Sequence, residues 1–391
     1  MIDDTESPGG QGEQCNGRSS AGWRIRLQQI ALSVGAAAAA AGATVASKPG
    51  TLAPMPRFSA QRGWLKMPKR WTMGDISAVA VDRHDRIWIL QRPRSLSAAN
   101  RDSAAPPVLM FDSQGRFIRG FGGAAAGYDW PTTEHSLAVD AANHVWIAGS
   151  GRTPGSSGDD MLLEFTDQGL LIRQIGHRGA SGGNRDTVNL HAPGDVFVDD
   201  TRHEVYVADG YGNRRVIVFD TRTGGFRRMW GGFGGVPTTE PAPLPRPAVL
   251  PKPIKDGEEP MDFNGVHGVE IARDGRVYVS DRNNQRIQVF TRAGRYLAQV
   301  SIDPDMPSPV TASGMAFSGD RAQRYLFVAD FGNNALVVLD RQRLAVIGRI
   351  DRAEDGPALN APHLLATNGK GVLYVAEVAG RRVQRLTYRT D

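Results

Sequence analysis

One short pattern recurs six times from residue 73 onward and restricts the fold more than any other feature of the chain. In each copy an apolar strand is followed by a turn, often at an aspartate, and then by a second apolar and aromatic strand. The six pairs are 78–82 with 86–90, 137–140 with 145–148, 196–199 with 205–208, 269–272 with 277–280, 315–317 with 325–328, and 364–366 with 373–376. Apolar residues alternating with polar ones between Gly, Asp and Asn turns predict antiparallel strands.

Further strands complete each unit. A third strand is clearest at 215–219, 286–290 and 335–339, and a fourth often ends in glycine, as at 117–122. Six such units predict an all-β fold, a closed six-bladed β-propeller with four-stranded antiparallel blades, because closure removes the free sheet edges. The repeats resemble those of the NHL type, and we expect a monomer.

Two segments depart from the regular order of strands. The last unit stops after its third strand near Tyr388, so we expect residues 63–68 to supply its fourth strand beside 383–388. Residues 236–260 contain eight prolines and cannot form a central strand, so they are predicted to be an extended loop between units three and four. The propeller domain is assigned to residues 49–391.

The N-terminal segment is predicted to direct export. Residues 1–22 are polar, and the segment 23–48 contains Arg24, Arg26 and an alanine-rich apolar run that ends in small residues. This order is typical of a secretory signal, which predicts a periplasmic or secreted protein. A membrane anchor and a disordered cytoplasmic tail are the alternatives. The single cysteine, Cys15, permits neither an internal disulfide nor a cysteine-based zinc site.

Three of the eight histidines occupy one place in the repeat, just before the innermost strand of units two, four and six: His135, His267 and His363. Alternate blades of a six-bladed ring lie about 120° apart, so these imidazoles can converge on the axis. Three histidines with an open fourth position are a known catalytic zinc site. The alternative is that each caps a loop. His84, His144, His177 and His203 are predicted at turns or the surface, and His191 is a weaker candidate.

Residues just after the second strand of each unit must share the face of these histidines, because that strand returns to it. Most are recurring aspartates with a structural role in turns. Three residues break the pattern and are the candidate catalytic residues: Arg92, Tyr211 and Arg282. Two guanidinium groups suit a substrate carboxylate. Zinc and arginine beside a tyrosine would both favour its phenolate form.

With these residues in view, the chain resembles the peptidyl-α-hydroxyglycine α-amidating lyase family over roughly residues 63–389. The resemblance is carried by Gly210-Tyr211-Gly212-Asn213-Arg214-Arg215, by Asp281-Arg282-Asn283 with Arg286-Ile287-Gln288, and by the three histidine contexts. It implies a zinc-binding triad of His135, His267 and His363, with Tyr211 as base, Arg92 assisting it and Arg282 facing the site. The implied reaction cleaves a carbinolamide N–C bond to give an amide and glyoxylate.

The chain departs from that family at a structural calcium site. Members carry Asp after the third zinc histidine, and Leu364 stands there instead. The remaining calcium contacts would be the backbone carbonyls of Val79 and Leu137, which rarely suffice alone.

Other functions stay open at this point. A non-catalytic propeller that binds a protein or glycan through its rim is the main alternative, and another metal-dependent propeller enzyme is a second. RNA binding is the least favoured, because the formal charge of +5 is dispersed along the chain.

Overall fold

The computed structural model describes residues 51–152, 158–240, 260–308 and 310–390, all within one compact unit. Its 24 strands form six four-stranded antiparallel sheets, which confirms the predicted six-bladed propeller. The segments 1–22 and 23–48, Cys15 and most of the proline-rich segment 236–260 lie outside the described residues. No helix within the described ranges is long and apolar enough to span a membrane.

The strands follow the repeat in chain order, from the axis outwards within each blade. Blade 1 contains β2 (Asp75–Val81), β3 (Ile87–Arg92), β4 (Val108–Phe111) and β5 (Phe117–Phe121). Blade 2 contains β6 (Glu134–Val139), β7 (Val145–Gly149), β8 (Leu162–Phe165) and β9 (Leu171–Ile175). Blade 3 contains β10 (Asp195–Asp199), β11 (Glu204–Asp209), β12 (Arg215–Asp220) and β13 (Phe226–Trp230).

The second half of the ring repeats this order. Blade 4 contains β14 (Val266–Ile271), β15 (Val277–Asp281), β16 (Arg286–Phe290) and β17 (Tyr296–Ser301). Blade 5 contains β18 (Met315–Phe317), β19 (Tyr325–Asp330), β20 (Ala335–Asp340) and β21 (Ala345–Ile350). Blade 6 contains β22 (Pro362–Thr367), β23 (Val372–Glu377) and β24 (Arg382–Arg389), with β1 (Arg57–Ala60) at its outer edge. Short 3₁₀ helices lie at Pro93–Ser95, Ala98–Ser103, Gly232–Gly234 and Arg282–Asn284.

Turn aspartates and inter-blade packing hold this ring together. In blade 1, Asp82 Oδ1 accepts hydrogen bonds from the backbone amides of His84 and Arg86, and its Oδ2 accepts one from Trp88 Nε1 at 3.0 Å. The middle strands of each blade are almost wholly buried, and their apolar side chains pack between neighbouring blades. Each innermost strand contacts the innermost strands on both sides, so the axis is lined by all six blades.

The prediction for the closing strand was wrong. Residues 57–60, not 63–68, pair with the end of β24, in a register that places Phe58 opposite Tyr388. The segment 63–68 instead crosses towards blade 1, where the amide of Lys66 donates to the carbonyl of Gly115 at 2.8 Å. Trp64 made this segment resemble a strand, but its buried ring packs on Tyr374.

Removing the buried aromatic side chain of the closing strand β1 should destabilise the whole propeller. Phe58 is 3% exposed and packs edge-on against Phe327 at 5.7 Å between ring centroids. We expect Phe58→Ala to lower the free energy of unfolding by about 3–5 kcal/mol, the usual cost of truncating a buried phenylalanine. Denaturant titration measures this loss, and Ile118→Ala at an exposed position is the control. A loss for Phe58→Ala no larger than the control's would contradict the assigned closure.

Candidate metal centre and active site

Local strand geometry turns the three histidines towards the axis. Each is the second residue of an innermost strand, in β6, β14 and β22, and the pairing register shifts at each of these positions. Such an irregularity bends the strand and re-aims a side chain. The repeat therefore places His135, His267 and His363 at one height in the channel, as the sequence predicts.

The three imidazoles meet in a compact, buried cluster. His135, His267 and His363 are 1%, 1% and 3% exposed. Their ring centroids lie 5.0 Å apart for His135 and His267, 4.6 Å for His135 and His363, and 4.8 Å for His267 and His363. One nitrogen from each ring can be chosen so that all three lie within 4.8 Å of one another. Side chains from three different blades, far apart in the sequence, thus form a single potential ligand set.

The intervening blades supply acceptors that set the imidazole tautomers. His135 Nδ1 lies 2.6 Å from the carbonyl oxygen of Gly194, and His363 Nδ1 lies 2.6 Å from that of Ser77. Because a carbonyl only accepts, each Nδ1 carries the proton and each Nε2 keeps a lone pair. The Ser313 carbonyl is the corresponding neighbour of His267, but the two groups are not oriented for a hydrogen bond. The Ser313 carbonyl instead accepts a hydrogen bond from Ser280 Oγ.

His267 has two buried ring nitrogens without a hydrogen-bond partner among the described residues. An unsatisfied buried polar group is costly, so a native structure normally provides it with a partner. A metal ion at the centre of the triad would supply one. The tautomers of His135 and His363 and the unpaired nitrogens of His267 therefore fit a three-histidine zinc site.

Electrostatics also favours neutral imidazoles. Burial lowers the pKa of His135 and His267 well below the usual histidine range, and neighbouring imidazole and arginine charges lower it further. Burial, followed by the charge of Arg92, lowers the pKa of His363 to about 3. Neutral imidazole is the form that binds a metal, so ligand binding at neutral pH needs no prior loss of a proton.

Tyr211 and Arg282 lie directly over the triad. The Tyr211 hydroxyl lies 2.9 Å from His135 Nε2 and 3.0 Å from Arg282 Nη1, which donates to it. The guanidinium of Arg282 also stands over the tyrosine ring, 4.9 Å from its centroid. The structure thus brings together two of the three predicted catalytic residues in direct contact.

Two glycines fix the position of Tyr211. A Cβ at Gly210 would lie 2.1 Å from the carbonyl oxygen of Val266, and one at Gly212 would lie 2.2 Å from the ring of His191. Only glycine permits such close approach, so the chain on each side of Tyr211 is held against its neighbours. His191, the weaker candidate in the sequence, contacts this loop.

Arg92 approaches the same centre from blade 1. Its Nε donates to the carbonyl of Glu134, the residue before His135, at 2.7 Å. Burial lowers the pKa of Arg92, whereas interactions with Tyr211, Asp75 and Glu134 raise it. Arg92 therefore lies at the face of the propeller that carries the histidines, where the sequence analysis predicts it.

Sequence reasoning missed two neighbours of the triad. Glu134 is 1% exposed, and its Oε1 accepts hydrogen bonds from Trp130 Nε1 at 2.8 Å and Arg94 Nη2 at 3.1 Å. Phe331 follows the second strand of blade 5, and its ring lies 5.9 Å from that of His363. Both adjoin positions that the repeat alignment marks, Glu134 before a histidine and Phe331 after a recurring aspartate, so the alignment could have identified them.

The family's calcium site does not fit this chain. Leu364 is 5% exposed within a hydrophobic cluster, and its side chain offers no ligand atom. Below the triad the innermost strands surround a cavity of about 370 Å³, lined by Val79, Leu137 and Leu364 among others. Its acidic groups, Asp195 and Glu270, come from blades 3 and 4 instead. Burial raises the pKa of Asp195 to about 6 and that of Glu270 well above its usual range.

Comparison with known proteins agrees with the fold and gives distant relatives. Residues 263–290 match the NHL repeat. The chain is 27% identical to NHL repeat-containing protein 3 of Mus musculus over 84% of each chain. It is 22% identical to a probable peptidyl-α-hydroxyglycine α-amidating lyase of Caenorhabditis elegans, over 78% of this chain and 77% of that protein.

A solved structure of a structural genomics protein from Bacteroides thetaiotaomicron superposes with a TM-score of 0.51 at 14% identity. It covers 86% of this chain and 76% of that chain. This similarity concerns the fold alone. The protein is therefore a six-bladed propeller in which one segment matches the NHL repeat, and its distant relatives include one named as an amidating lyase.

The lowered pKa of His363 predicts a pH dependence of stability in metal-free protein. In the unfolded chain His363 becomes protonated below a pH of about 6.5, whereas in the folded protein it stays neutral down to about pH 3. His363 therefore contributes to loss of stability as the pH falls through this window. We expect the stability difference between wild type and His363→Gln to shift in favour of the variant from pH 7 to pH 4.

Chelator-treated protein and denaturant titration at several pH values measure this difference. His203→Gln, at a turn, is the matched control. A difference between wild type and His363→Gln that stays constant across this range would show that burial does not hold His363 neutral.

Proposed function

We propose that this protein is a zinc-dependent lyase that cleaves the carbinolamide N–C bond of a peptidyl-α-hydroxyglycine-like substrate to an amide and glyoxylate. One observation carries the proposal: the Tyr211 hydroxyl lies between His135 Nε2 and Arg282 Nη1, directly over a three-histidine ligand set. The distant similarity to a probable amidating lyase supports it.

The triad His135, His267 and His363 would hold the zinc ion. Zinc bound there would act as a Lewis acid towards the substrate hydroxyl and make its proton easier to remove. The three histidines themselves are buried, whereas Tyr211 and the two arginines are partly exposed at the mouth of the site.

Tyr211 would exchange the proton. In the metal-free arrangement its hydroxyl can donate to His135 Nε2 while it accepts from Arg282. When the Nε2 lone pair is used by a metal, the phenol loses that acceptor and keeps the cationic donor. Tyr211, held in place by Arg282, would then be the group that accepts the hydroxyl proton.

The reaction moves one proton and breaks one bond. As Tyr211 takes the proton from the carbinol oxygen, a carbonyl forms at carbon and the C–N electron pair leaves with nitrogen. The nitrogen gains a proton, for which the Tyr211 phenol is the available donor. The products are an amide and glyoxylate.

The two arginines would bind the carboxylate end of the substrate. Arg282 is already oriented by its contact with Tyr211, and its Nε has no hydrogen-bond partner among the described residues. Arg92 is tethered through Nε to the Glu134 carbonyl, and its positive charge interacts with Tyr211. A pair of guanidinium groups at fixed positions suits a carboxylate and stabilises negative charge that develops beside it.

Tyr211→Phe should abolish turnover without releasing zinc. Phe retains the ring under Arg282 but removes the proton acceptor, so we expect kcat to fall by about 10²–10⁴-fold. Glyoxylate release from α-hydroxyhippurate, with metal content measured on the same samples, tests this. Unchanged activity in Tyr211→Phe would reject the mechanism, and a zinc-loaded wild type inactive on several carbinolamides would favour a non-catalytic binding module.

Arg92→Ala should impair catalysis through lost charge stabilisation beside the reacting oxygen. We expect a loss of about 10²–10³-fold in kcat/KM, on the scale of removing one donor that stabilises a developing charge. Arg101→Ala, at an exposed position in the 3₁₀ helix Ala98–Ser103, is the control. Equal activity of the two variants in the same glyoxylate assay would remove Arg92 from the site.

A further inference from the structure

A second cluster of potential metal ligands lies in blade 2, away from the histidine triad. It consists of Asp140, His144 and Glu164, whose ligand atoms all lie within 4.8 Å of one another. His135 is the second residue of β6, whereas Asp140 directly follows the end of that strand. The two places are about 17 Å apart along an extended strand, so the cluster is separate from the axial site.

The two separations that involve His144 are close to those between ligands of one metal ion. His144 Nδ1 lies 3.0 Å from Glu164 Oε1 and 3.4 Å from Asp140 Oδ2. Ligands at tetrahedral positions around zinc are separated by about 3.3 Å, given metal–ligand distances of about 2.0–2.2 Å. A neutral His144 has at most one proton on Nδ1 and cannot satisfy both carboxylates well, whereas one cation can contact all three groups.

Surrounding contacts hold the ligands in place. Asp140 Oδ1 accepts hydrogen bonds from the backbone amides of Ala142 and His144, and its Oδ2 accepts one from Trp146 Nε1 at 3.2 Å. Glu164 is 3% exposed. Its Oε2 has no hydrogen-bond partner in the described part of the chain, and Arg173 Nε lies 3.6 Å away. Such outer contacts orient metal ligands.

Blade 1 shows the same framework with a permanent cation in place of the cluster. Asp82 corresponds to Asp140, but Arg86 stands where blade 2 has His144, and its Nε contacts Asp82 Oδ2 at 2.6 Å. Met110 pairs with Trp88 as Glu164 pairs with Trp146.

The replacement of Arg86 and Met110 in blade 1 by His144 and Glu164 in blade 2 alters the local charge balance. The next strand supplies an arginine in both blades, Arg119 opposite Met110 and Arg173 opposite Glu164. Blade 1 thus combines Asp82 with two arginines, and Arg86 Nη1 also lies 3.5 Å from Asp167 Oδ2 of the neighbouring blade. Blade 2 instead combines two carboxylates with one arginine and an imidazole. Burial raises the pKa of Glu164, and Asp140 adds to this effect. Blade 2 therefore lacks positive charge where blade 1 carries it on Arg86.

We propose that Asp140, His144 and Glu164 form a second metal site, which takes a divalent transition-metal ion such as zinc in place of the fixed cation of blade 1. One imidazole with two carboxylates suits such an ion. A metal ion bound there would be accessible from solvent, since the His144 side chain is 35% exposed. The exposed location and the neighbouring strand ends indicate a structural site that ties β8 to the β6–β7 turn.

Zinc stoichiometry of the full chain tests the proposal. Chelator-stripped protein is dialysed against buffered zinc, and bound metal is quantified per chain. We expect two equivalents in wild type, one in His144→Ala, one in His363→Ala and none in the double variant. His84→Ala, in the corresponding turn of blade 1, should keep two. Glu164→Gln, which preserves size, should bind the second zinc at least tenfold more weakly.

The outcomes separate this site from the proposed lyase centre. Wild type with one zinc, lost in His363→Ala and kept in His144→Ala, overturns the second site and leaves the lyase proposal intact. One zinc lost only in His144→Ala supports the second site and removes the catalytic metal. Two equivalents retained in both His144→Ala and Glu164→Gln also overturn it, and show that the cluster is a hydrogen-bonded group around His144. Far-UV circular dichroism verifies that each variant is folded.

Discussion

The pairing of β1 with β24 is the constraint on which the rest of the molecule depends. A propeller blade has apolar side chains on both faces, so each blade is stable only between two neighbours. Without closure, blades 1 and 6 would each expose a face to water. Closure also fixes the angular positions of the six innermost strands, and it is these positions that bring His135, His267 and His363 together on the axis.

The metal centre combines this global geometry with a local irregularity. The register shifts at the histidine positions, and a similar shift occurs between Ile76 and Ala78 in blade 1. Alternate blades contribute different chemical groups at the same height in the channel. Blades 2, 4 and 6 present imidazoles, whereas blades 1 and 3 present the carbonyls of Ser77 and Gly194, which hold two of those rings. Neighbouring blades therefore differ in the group that they direct towards the axis at this height.

Much of this arrangement could be predicted from the sequence, because strand period and repeat position determine which side chains share a face and a height. The strand pairs, the blade number and the convergence of the triad all follow from that periodicity. The closing strand could not be predicted in this way, because the four residues of β1 show little alternation of apolar and polar residues. The next segment contains Trp64 and looks more like a strand. The contacts of His144 were also not predicted, because the sequence marks His144 as a turn residue and Glu164 belongs to a strand 20 residues later.

The composite blade 6 has a consequence for how the chain folds. Its outer strand is made from residues 57–60 and its other three from residues 362–389, so more than 300 residues separate the partners of one sheet. During synthesis, blades 1 to 5 can form in sequence, but β1 has no partner until residues 386–389 have been synthesised. Contacts of such long sequence separation form slowly. Until then the edge of the last completed blade is open to other chains, so the period between synthesis and closure is when the protein is most exposed to aggregation.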